Sequence, residues 1–588
     1  MTQNHLNYSF FYINANCYFS GVMHKKITIF FTLCLVNFLY AQENYPKNYF
    51  INPLEIPLVL SGTFGELRSN HFHAGIDIKT RAQEGYKVVA SADGYISRIN
   101  VSLWGYGNAL YVTHDNGYTT VYGHLKSFSP EIEAFVRKKQ YKEESFTIRL
   151  YPKADELLVK KGALIALSGN SGSSGGPHLH FEVRDVKSNI LNPMLFGITV
   201  PDHKNPTIVS AFSYTKNESS HVNQSNKNVK LVFNRQANGD LLANNIFAYG
   251  TIGFGINSFD RLDGDINKNG IYDLEMAVNG SKVFQFTANK FSFDESRLIN
   301  SYIDYERYNR LNQRVQKCFI EHEMNNLSVY KNVIENGYIQ IKDSMEYTVS
   351  ITARDFNGNK TKLIVPIKGK KDSIVIPKKT IDKTPHYFKY QVSNQIKDSL
   401  VSVYFPKNTF YEDFYFDFSN KNGIVKLHNS SVPAHKRFKL SFDISNYSEE
   451  EIKHMHIAKK SKSGKFYYVS TKRKDDFLYT SSNSLGDYTL KSDNEFPKVS
   501  TIGFKNGDWL TKNKNIKVKI YDKGSGIKSY RGTIDDQWIR MAYDPKKNVL
   551  TYDFSDKPLE GTLHILKVVV TDNVNNSTTF TSTFNKKN

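Results

Sequence analysis

The sequence predicts a mainly β protein: a small antiparallel β-sheet domain followed by about three β-sandwich, immunoglobulin-like modules. The chain has 588 residues, which is more than one hydrophobic core serves. It contains 37 Tyr and 40 Phe, and aromatic residues favour strands. Its apolar runs are short and separated by Asp-Gly and Asn-Gly pairs, which favour tight turns between antiparallel strands.

Residues 1–41 are predicted to be a targeting segment. The run "MHKKITIFFTLCLVNFLYAQ" from Met23 has a basic start, an apolar stretch over 27–39, and Ala41 before polar sequence. This pattern indicates a secretory signal peptide cleaved near Ala41, with 1–22 as an upstream extension. The apolar stretch is too short for a permanent transmembrane helix. We therefore expect an exported protein of the periplasm, the cell envelope or the medium.

Cysteine count and net charge limit the kinds of partner that we expect the exported chain to bind. Without residues 1–41, Cys318 is the single cysteine, so no internal disulfide is expected. The formal charge of +20 falls by two lysines to +18. This excess of positive charge favours binding to anionic envelope polymers. The sequence lacks a basic cluster interleaved with aromatic residues, which is the pattern that would indicate nucleic-acid binding.

Residues 42–200 form the first predicted domain, with short glycine-broken strands and one helical insertion. The insertion begins "SPEIEAFVRKKQ", where Ser129 can cap a helix and Pro130 suits its first position. Residues 126–157 either overhang a substrate groove or decorate a remote surface, and the sequence leaves both interpretations open.

The rest of the chain is predicted to form three modules: the first at 201–370, the second at 371–492 and the third at 493–588. A short repeat relates the outer two. "DHKNPTIVSAF" from Asp202 and "DNEFPKVSTIGF" from Asp493 share a start, and "ITARDFNGNKT" and "VVVTDNVNNST" share an end. The repeat indicates two related β-sandwiches, with another β unit between them.

Five residues of the first domain suggest metal chemistry. In "GGPHLHFEVR", His178 and His180 are two positions apart on a predicted strand and so share a face. "HFHAGIDIKT" adds His73 and Asp77, and "VYGHLKSF" adds His124 at the end of another strand. Imidazole and carboxylate groups suit Zn²⁺, and a catalytic zinc typically has three protein ligands and an open position.

These residues also match a family. The runs "GTFGELRSNHFHAGIDIKT", "GYGNALYVTHDNGYTTVYGHL" and "GNSGSSGGPHLHFEVR", in this order, resemble the lysostaphin/LytM-type zinc metallopeptidases that cut peptidoglycan cross-bridges. The resemblance covers residues 56–195, about a quarter of the chain. It implies the LytM-like fold, related to the duplicated hybrid motif: a small antiparallel β core with a groove across it.

Carried over position by position, the resemblance implies a role for each residue. His73, Asp77 and His180 become the ligands of one zinc ion, and His124 and His178 become the catalytic pair beside it. Which of the two is the general base stays open. We add His71 as a candidate for contact with substrate, because it lies two residues before His73.

The resemblance implies an exported zinc metalloendopeptidase that hydrolyses peptide cross-links of bacterial peptidoglycan with metal-activated water. Two alternatives stay open. One is a non-catalytic module of the same fold that binds the wall or activates another hydrolase, and the other is an endopeptidase for glycine-rich or other protein substrates.

One further motif is weighed and set aside. "DGDINKNGIYDLE" places Asp265, Asn267 and Asn269 at calcium-loop spacing, but its twelfth position is Met276 instead of a bidentate Glu. An Asn-rich turn is predicted there instead.

Overall fold

The structure, a computed structural model, describes residues 45–378 and 382–587, so the predicted signal segment lies outside the described residues. Strands dominate the described chain, which confirms the predicted mainly β class. Among the described residues, no helix combines the length and the apolarity needed to cross a bilayer.

The N-terminal domain is built around one antiparallel sheet. Its strands are β1 (Leu60–Gly62), β2 (Leu67–Arg68), β3 (His71–Phe72), β4 (Ile76–Lys79), β5 (Lys87–Val89), β6 (Gly94–Val101), β7 (Asn108–Thr113), β8 (Thr119–Leu125), β9 (Ser127–Phe128), β10 (Ile148–Leu150), β11 (Leu158–Val159), β12 (Leu164–Leu167), β13 (His178–Arg184) and β14 (Ile190–Leu191). The main sheet has the order β1-β4-β13-β8-β7-β6-β10, β5-β12-β9 form a second sheet, and β2-β3 form a hairpin. Strand β13 therefore lies between β4 and β8.

Alternation along β13 decides which of its residues line the core. Leu179, Phe181 and Val183 are fully buried apolar residues. The intervening positions, His178, His180 and Glu182, point to the opposite side of the sheet. One face of the strand thus holds the domain together while the other carries polar groups.

The predicted helical insertion is present as α1 (Pro130–Glu143). Pro130 starts the helix and Ser129 occupies the N-cap position, although its side chain makes no capping hydrogen bond. Ile132 and Val136 are buried beneath the helix. A 3₁₀ helix at Pro193–Phe196 closes the domain.

The first module continues the main sheet of the N-terminal domain. Its strands are β15 (Thr207–Thr215), β16 (His221–Val222), β17 (Val229–Leu231), β18 (Phe233–Arg235), β19 (Leu241–Ala243), β20 (Ile246–Phe259), β21 (Asp273–Val278), β22 (Ser281–Thr287), β23 (Lys290–Phe291), β24 (Val315–Lys317), β25 (Tyr330–Lys331), β26 (Ile339–Ile341), β27 (Glu346–Arg354) and β28 (Lys360–Gly369). Its helices are α2 (Phe293–Ser296), α3 (Ile299–Tyr302) and α4 (Tyr305–Leu311), with a 3₁₀ turn at Glu335–Gly337. Strand β23 pairs with β14, so the two units share hydrogen-bonded backbone.

The second module has two five-stranded sheets and one short two-stranded sheet. Its strands are β29 (His386–Phe388), β30 (Asn394–Lys397), β31 (Val401–Phe405), β32 (Phe414–Phe416), β33 (Phe418–Lys421), β34 (Ile424–Leu427), β35 (Phe438–Asp443), β36 (Met455–Lys460), β37 (Phe466–Tyr468), β38 (Lys472–Lys474), β39 (Phe477–Ser482) and β40 (Gly486–Ser492), with helix α5 (Glu449–Ile452). The sheets have the orders β30-β31-β35-β39-β38 and β33-β34-β40-β36-β37. Buried residues from both sheets, such as Val403 and Val425, form one core.

The third module has two four-stranded sheets around its own core. Its strands are β41 (Lys498–Ile502), β42 (Asn515–Tyr521), β43 (Ile527–Ile534), β44 (Gln537–Trp538), β45 (Ala542–Asp544), β46 (Val549–Asp553), β47 (Leu563–Asp572) and β48 (Ser577–Asn585). The sheets are β41-β42-β46-β45 and β44-β43-β47-β48.

The third module returns to contact helix α1 of the N-terminal domain. The carboxylate of Asp556, whose side chain is 1% exposed, accepts two hydrogen bonds from Arg540, at 2.7 and 3.0 Å, and pairs with Arg137 at 3.1 Å. Arg540 also reaches Glu133 at 3.4 Å, and the Tyr141 and Trp538 rings meet edge to face at 5.1 Å. The insertion thus provides a docking surface for the end of the chain.

We expect Asp556→Ala to loosen this contact. The change leaves two arginines without their shared carboxylate, and losing one partner of a buried ion pair costs about 3 kcal/mol or more. Hydrogen exchange across 130–143 should accelerate by about 100-fold, since 1.4 kcal/mol corresponds to a factor of ten. The exposed Glu560 provides the control variant, Glu560→Ala. Equal exchange in both variants would contradict the assigned interface.

Candidate metal centre

Strand pairing brings the candidate residues together. In the register of the main sheet, His180 of β13 lies opposite Asp77 of β4 on one side and opposite Gly123 of β8 on the other. His124 follows Gly123 directly. Gly75 packs against the backbone of β13, where a Cβ atom would come within 2.2 Å of the carbonyl oxygen of Phe181. Only glycine permits this close approach of the segment that carries His73 and Asp77.

Three of the predicted residues converge on one point. His73 Nε2 lies 3.0 Å from Asp77 Oδ1 and 3.2 Å from His180 Nδ1, and His180 Nδ1 lies 2.8 Å from Asp77 Oδ1. All three residues are buried. Their donor atoms are close enough to share a single ion.

The outer hydrogen bonds orient the two imidazoles. His73 Nδ1 donates to the carbonyl oxygen of Thr63 at 2.8 Å, and His180 Nε2 donates to Glu182 Oε1 at 2.9 Å. Each ring therefore directs its other nitrogen towards the other ring and towards the Asp77 carboxylate. A proton on His180 can occupy this point when no metal is bound, and two imidazoles with a carboxylate fit a transition metal such as zinc.

The electrostatics around His180 also favour a cation. Burial lowers the pKa of His180, but Asp77 and Glu182 raise it to about 9. Burial raises the pKa of Glu182, whereas Arg184 and His180 bring it down to about 2. The Glu182 carboxylate is thus fixed as an anion behind the imidazole that it orients.

His124 and His178 lie beside this cluster. Their ring centroids are 4.8 Å apart. His124 Nδ1 donates to Ser171 O at 2.9 Å and His178 Nδ1 to Gly176 O at 2.8 Å, which leaves each Nε2 as an acceptor. His178 Nε2 lies 3.4 Å from Asp77 Oδ1.

The backbone and the charge state of His124 are both unusual. Its φ is +59°, a left-handed value that costs energy for a residue with a side chain and is found at functional sites. Burial, together with the nearby His180 and His178 rings, lowers the pKa of His124 to about 3. His124 is therefore a neutral imidazole in this structure.

His71 lies apart from the cluster. It is exposed, and its Nδ1 bonds to the carbonyl oxygen of Ser69 at 2.8 Å. Its contact with substrate stays a prediction.

Sequence reasoning missed the residues that support the cluster. The Tyr106 ring stacks on His180 at 5.1 Å and its hydroxyl donates to Glu182 at 2.5 Å, while Arg68 Nη2 holds Asp77 Oδ2 at 3.1 Å. Strand alternation could have identified Glu182, which follows His178 and His180 on the same face. Nothing local marks Tyr106, Arg68 or Thr63, because the fold brings them to the site from the loop between β6 and β7, the short strand β2 and the segment after β1.

We expect Glu182→Gln to weaken metal binding. The substitution removes the negative charge that orients His180, and loss of such an outer partner typically costs about 10–100-fold in metal affinity. Competition with a chromogenic chelator measures this, with the exposed Glu131→Gln as the matched control. An unchanged affinity in Glu182→Gln would show that Glu182 does not support the ligand.

Comparison with known proteins identifies a family for two parts of the chain. Residues 71–141 match the model of Peptidase family M23, and residues 385–493 match that of the Zu5-like domain. Residues 71–141 of the N-terminal domain therefore match the M23 peptidase family, and the resemblance predicted from the sequence is confirmed. No family was predicted for the second module.

Curated relatives resemble a limited part of the chain. DD-carboxypeptidase/endopeptidase Mpg of Neisseria meningitidis serogroup B (strain ATCC BAA-335 / MC58) is 30% identical over 164 residues, which are 28% of this chain and 29% of that protein. Murein hydrolase activator NlpD of Escherichia coli (strain K12) is 31% identical over 134 residues, 23% of this chain and 28% of that protein. The match thus spans less than a third of either relative.

Solved structures also match only about a quarter of this chain. The catalytic domain of the antimicrobial peptidase lysostaphin from Staphylococcus simulans is 23% identical with a TM-score of 0.18, over 23% of this chain and 90% of that one. A catalytic domain of the prophage-encoded M23 protein EnpA from Enterococcus faecalis is 22% identical with a TM-score of 0.19, over 26% and 98%. Both likenesses leave most of this chain without a counterpart.

Proposed function

We propose that the chain is an exported zinc metalloendopeptidase that hydrolyses peptide cross-links of bacterial peptidoglycan. The observation that carries this proposal is the completeness of the site. Three buried donor groups share one point, and two further imidazoles lie beside it, each held by a hydrogen bond from Nδ1.

His73, Asp77 and His180 would hold one zinc ion. Bound zinc lowers the pKa of water and polarises a carbonyl group. His124 and His178 each keep an Nε2 lone pair, so either can accept a proton from the attacking water. The proton taken from water can return to the leaving amine as the C–N bond breaks, and the other imidazole, when it has taken a proton from solvent, can hydrogen-bond the carbonyl oxygen of the scissile amide.

Peptidoglycan peptide stems are the substrate class that we propose. Two relatives are a DD-carboxypeptidase/endopeptidase and a murein hydrolase activator by name, which supports a role at the cell wall. A formal charge of +20 favours anionic envelope polymers as additional contacts. The proposal that the protein is exported rests on the signal pattern that begins at Met23. We also propose that the chain divides into four units, with boundaries at residues 200, 370 and 492.

A specific observation favours a second candidate, a non-catalytic activator. The similarity to the activator NlpD is as high, at 31% identity, as that to the enzyme Mpg, at 30%. The complete set of five residues favours the enzyme, because an activator needs neither the donors nor the paired imidazoles. An endopeptidase for glycine-rich or other proteins would use the same site.

Mass spectrometry of purified muropeptides incubated with the chain tests the proposal. We expect new peptide termini at one linkage, in a reaction that His178→Ala abolishes while the bound metal is retained. Bound metal without cleavage of any cross-linked peptide, combined with stimulation of an added amidase, would favour the activator. Cleavage of protein substrates but not of muropeptides would favour an endopeptidase for glycine-rich or other proteins.

A further inference from the structure

We propose that the first and third modules each bind one calcium ion, at two equivalent acidic sites. Asp202, Asp260 and Asp355 form the first acidic site, and Asp493, Asp522 and Asp572 form the second. In each trio, carboxylate oxygens lie within 4.8 Å of one another. This inference is independent of the peptidase activity.

The first acidic site is buried and electrically uncompensated. Asp202, Asp260 and Asp355 are 4%, 2% and 5% exposed. No ion pair within residues 45–378 and 382–587 involves any of the three. Burying three carboxylates without an opposite charge is strongly unfavourable, so protons or a bound cation must offset their charge.

Unpartnered oxygen atoms point into this site. Asp202 Oδ2 and Asp260 Oδ1 are buried without a hydrogen-bond partner, and so are both amide atoms of Asn269, a residue that is 2% exposed. Asn269 and Asp260 exchange backbone hydrogen bonds at 2.8 and 2.9 Å, and residues paired in this way direct their side chains to the same face. A cavity of about 20 Å³ bordered by all three aspartates provides room for an ion.

The second acidic site repeats most of these features. Asp493 and Asp572 are 5% and 0% exposed, whereas Asp522 is only partly buried. Asp522 Oδ1 and the hydroxyl of Ser525, which is 4% exposed, lack partners. Gly524 lies directly against the Asp493 carboxylate, where a Cβ atom would come within 2.1 Å of Oδ1, so only glycine leaves the carboxylate accessible.

One asparagine makes the same two hydrogen bonds in each site. Asn359 donates to Asp355 Oδ2 at 2.6 Å and to the carbonyl oxygen of Asp202 at 3.0 Å. Asn576 donates to Asp572 Oδ2 at 2.7 Å and to the carbonyl oxygen of Asp493 at 2.8 Å.

The third carboxylate also occupies the same place in both modules. Asp260 directly follows β20, which pairs with β15, and Asp522 directly follows β42, which pairs with β41. Strands β15 and β41 each begin just after the proline of the repeated Asp-x-x-x-Pro motif. Two modules with different lengths and neighbours thus keep the same carboxylate trio, which indicates a shared ligand.

Donor chemistry selects calcium. The sites offer oxygen atoms from carboxylates, with the Asn269 amide and the Ser525 hydroxyl beside them, and no imidazole or thiolate belongs to either trio. Oxygen-only sites suit Ca²⁺, Mg²⁺ or Mn²⁺, and irregular loops suit the flexible coordination of Ca²⁺. The sites therefore differ in kind from the His73–Asp77–His180 cluster.

The first acidic site also connects to the peptidase domain. Gly270, next to Asn269, exchanges two hydrogen bonds with the Thr63 side chain, at 3.1 and 3.2 Å, and the Thr63 carbonyl oxygen receives His73 Nδ1. Asp265 pairs with Lys79 at 2.5 Å. An ion at this site would fix the 260–271 loop against the strand that orients His73. The predicted Asn-rich turn thus contributes Asn269 to the site, while its Asp265 binds a lysine.

Calcium titration of the full chain after chelator treatment tests the inference. We expect two ions per chain with dissociation constants of about 1 mM or tighter, Mg²⁺ binding at least about tenfold more weakly, and a rise in melting temperature of about 5 °C or more at saturation. Asp260→Asn and Asp522→Asn should each remove one ion, and the double variant both. The control Asp265→Asn, in the same loop but paired with Lys79, should keep two.

Three results would overturn the inference. The first two are no saturable binding up to about 10 mM Ca²⁺ and binding that persists in the double variant. Hydrogen exchange of the unmodified chain provides a readout that needs no variant, because calcium should slow exchange in 260–271 and 522–526. Hydrogen exchange that calcium leaves unchanged in both loops would be the third result that contradicts the inference. His180→Ala should retain both calcium ions, which separates this test from that of the peptidase site.

Discussion

Replacing His180 by alanine is expected to remove both the bound metal and the peptidase activity. His180 provides one of three donor atoms that lie 2.8–3.2 Å apart, and two donors rarely hold a zinc ion. Zinc content should fall from about one ion per chain to about a tenth of that or less. Cleavage of cross-linked muropeptides should fall at least about 1000-fold, the scale seen when part of a catalytic unit is removed.

His114 provides the matched control for this substitution. It is a buried histidine of the same sheet, 3% exposed, whose ring bonds to the carbonyl oxygen of Asp93 at 2.7 Å and to Thr120 at 2.8 Å. His114→Ala should lower stability but retain metal. Elemental analysis and thermal unfolding of both variants separate the two effects. Full metal content in His180→Ala would refute the proposed ligand set.

Replacing His178 or His124 by alanine is expected to remove activity while metal remains. Neither imidazole belongs to the three-donor cluster, and each is held beside it by a hydrogen bond from Nδ1. Losing a positioned acid or base typically costs about 10²–10⁴-fold in rate. The double variant should lose less than the product of the single losses, because the two groups act as a unit.

Single-turnover cleavage of a defined cross-linked peptide, with metal content measured in parallel, checks this prediction. His203→Ala is the control, since that histidine is exposed and pairs with Asp263. Wild-type rates in both His124→Ala and His178→Ala would exclude the proposed catalytic pair. Loss of metal in either variant would instead make that histidine a ligand.

Local sequence predicted the fold class because turns and alternation are local properties. Asp-Gly and Asn-Gly pairs mark hairpins, and the alternation in "HLHFEVR" fixes which residues of β13 share a face. The five candidate residues meet in the structure, although their roles stay predictions. The family resemblance rests on motifs around these same positions.

Long-range features were not predictable from local patterns. Tyr106 stacks on His180 because a loop between β6 and β7 folds over it, and Thr63 receives His73 because a first-module loop holds its side chain. The acidic sites illustrate the same limit. Calcium-loop spacing directs attention to Asp265, whereas the carboxylates that converge come from three distant turns of each module.

The return of the third module to helix α1 has a consequence for how the protein is made. Arg540 is synthesised 400 residues after Gln140, which it contacts. At about 5–20 residues per second, the helix waits about 20–80 s for its partner. A strongly apolar docking surface would favour aggregation during that interval. The polar side chains of Glu133, Arg137 and Gln140 can instead contact water until the segment that carries Arg540 has been made. Apart from the contact between Tyr141 and Trp538, the side chains of this junction are mostly polar, so little apolar surface waits for a partner while the chain is being made.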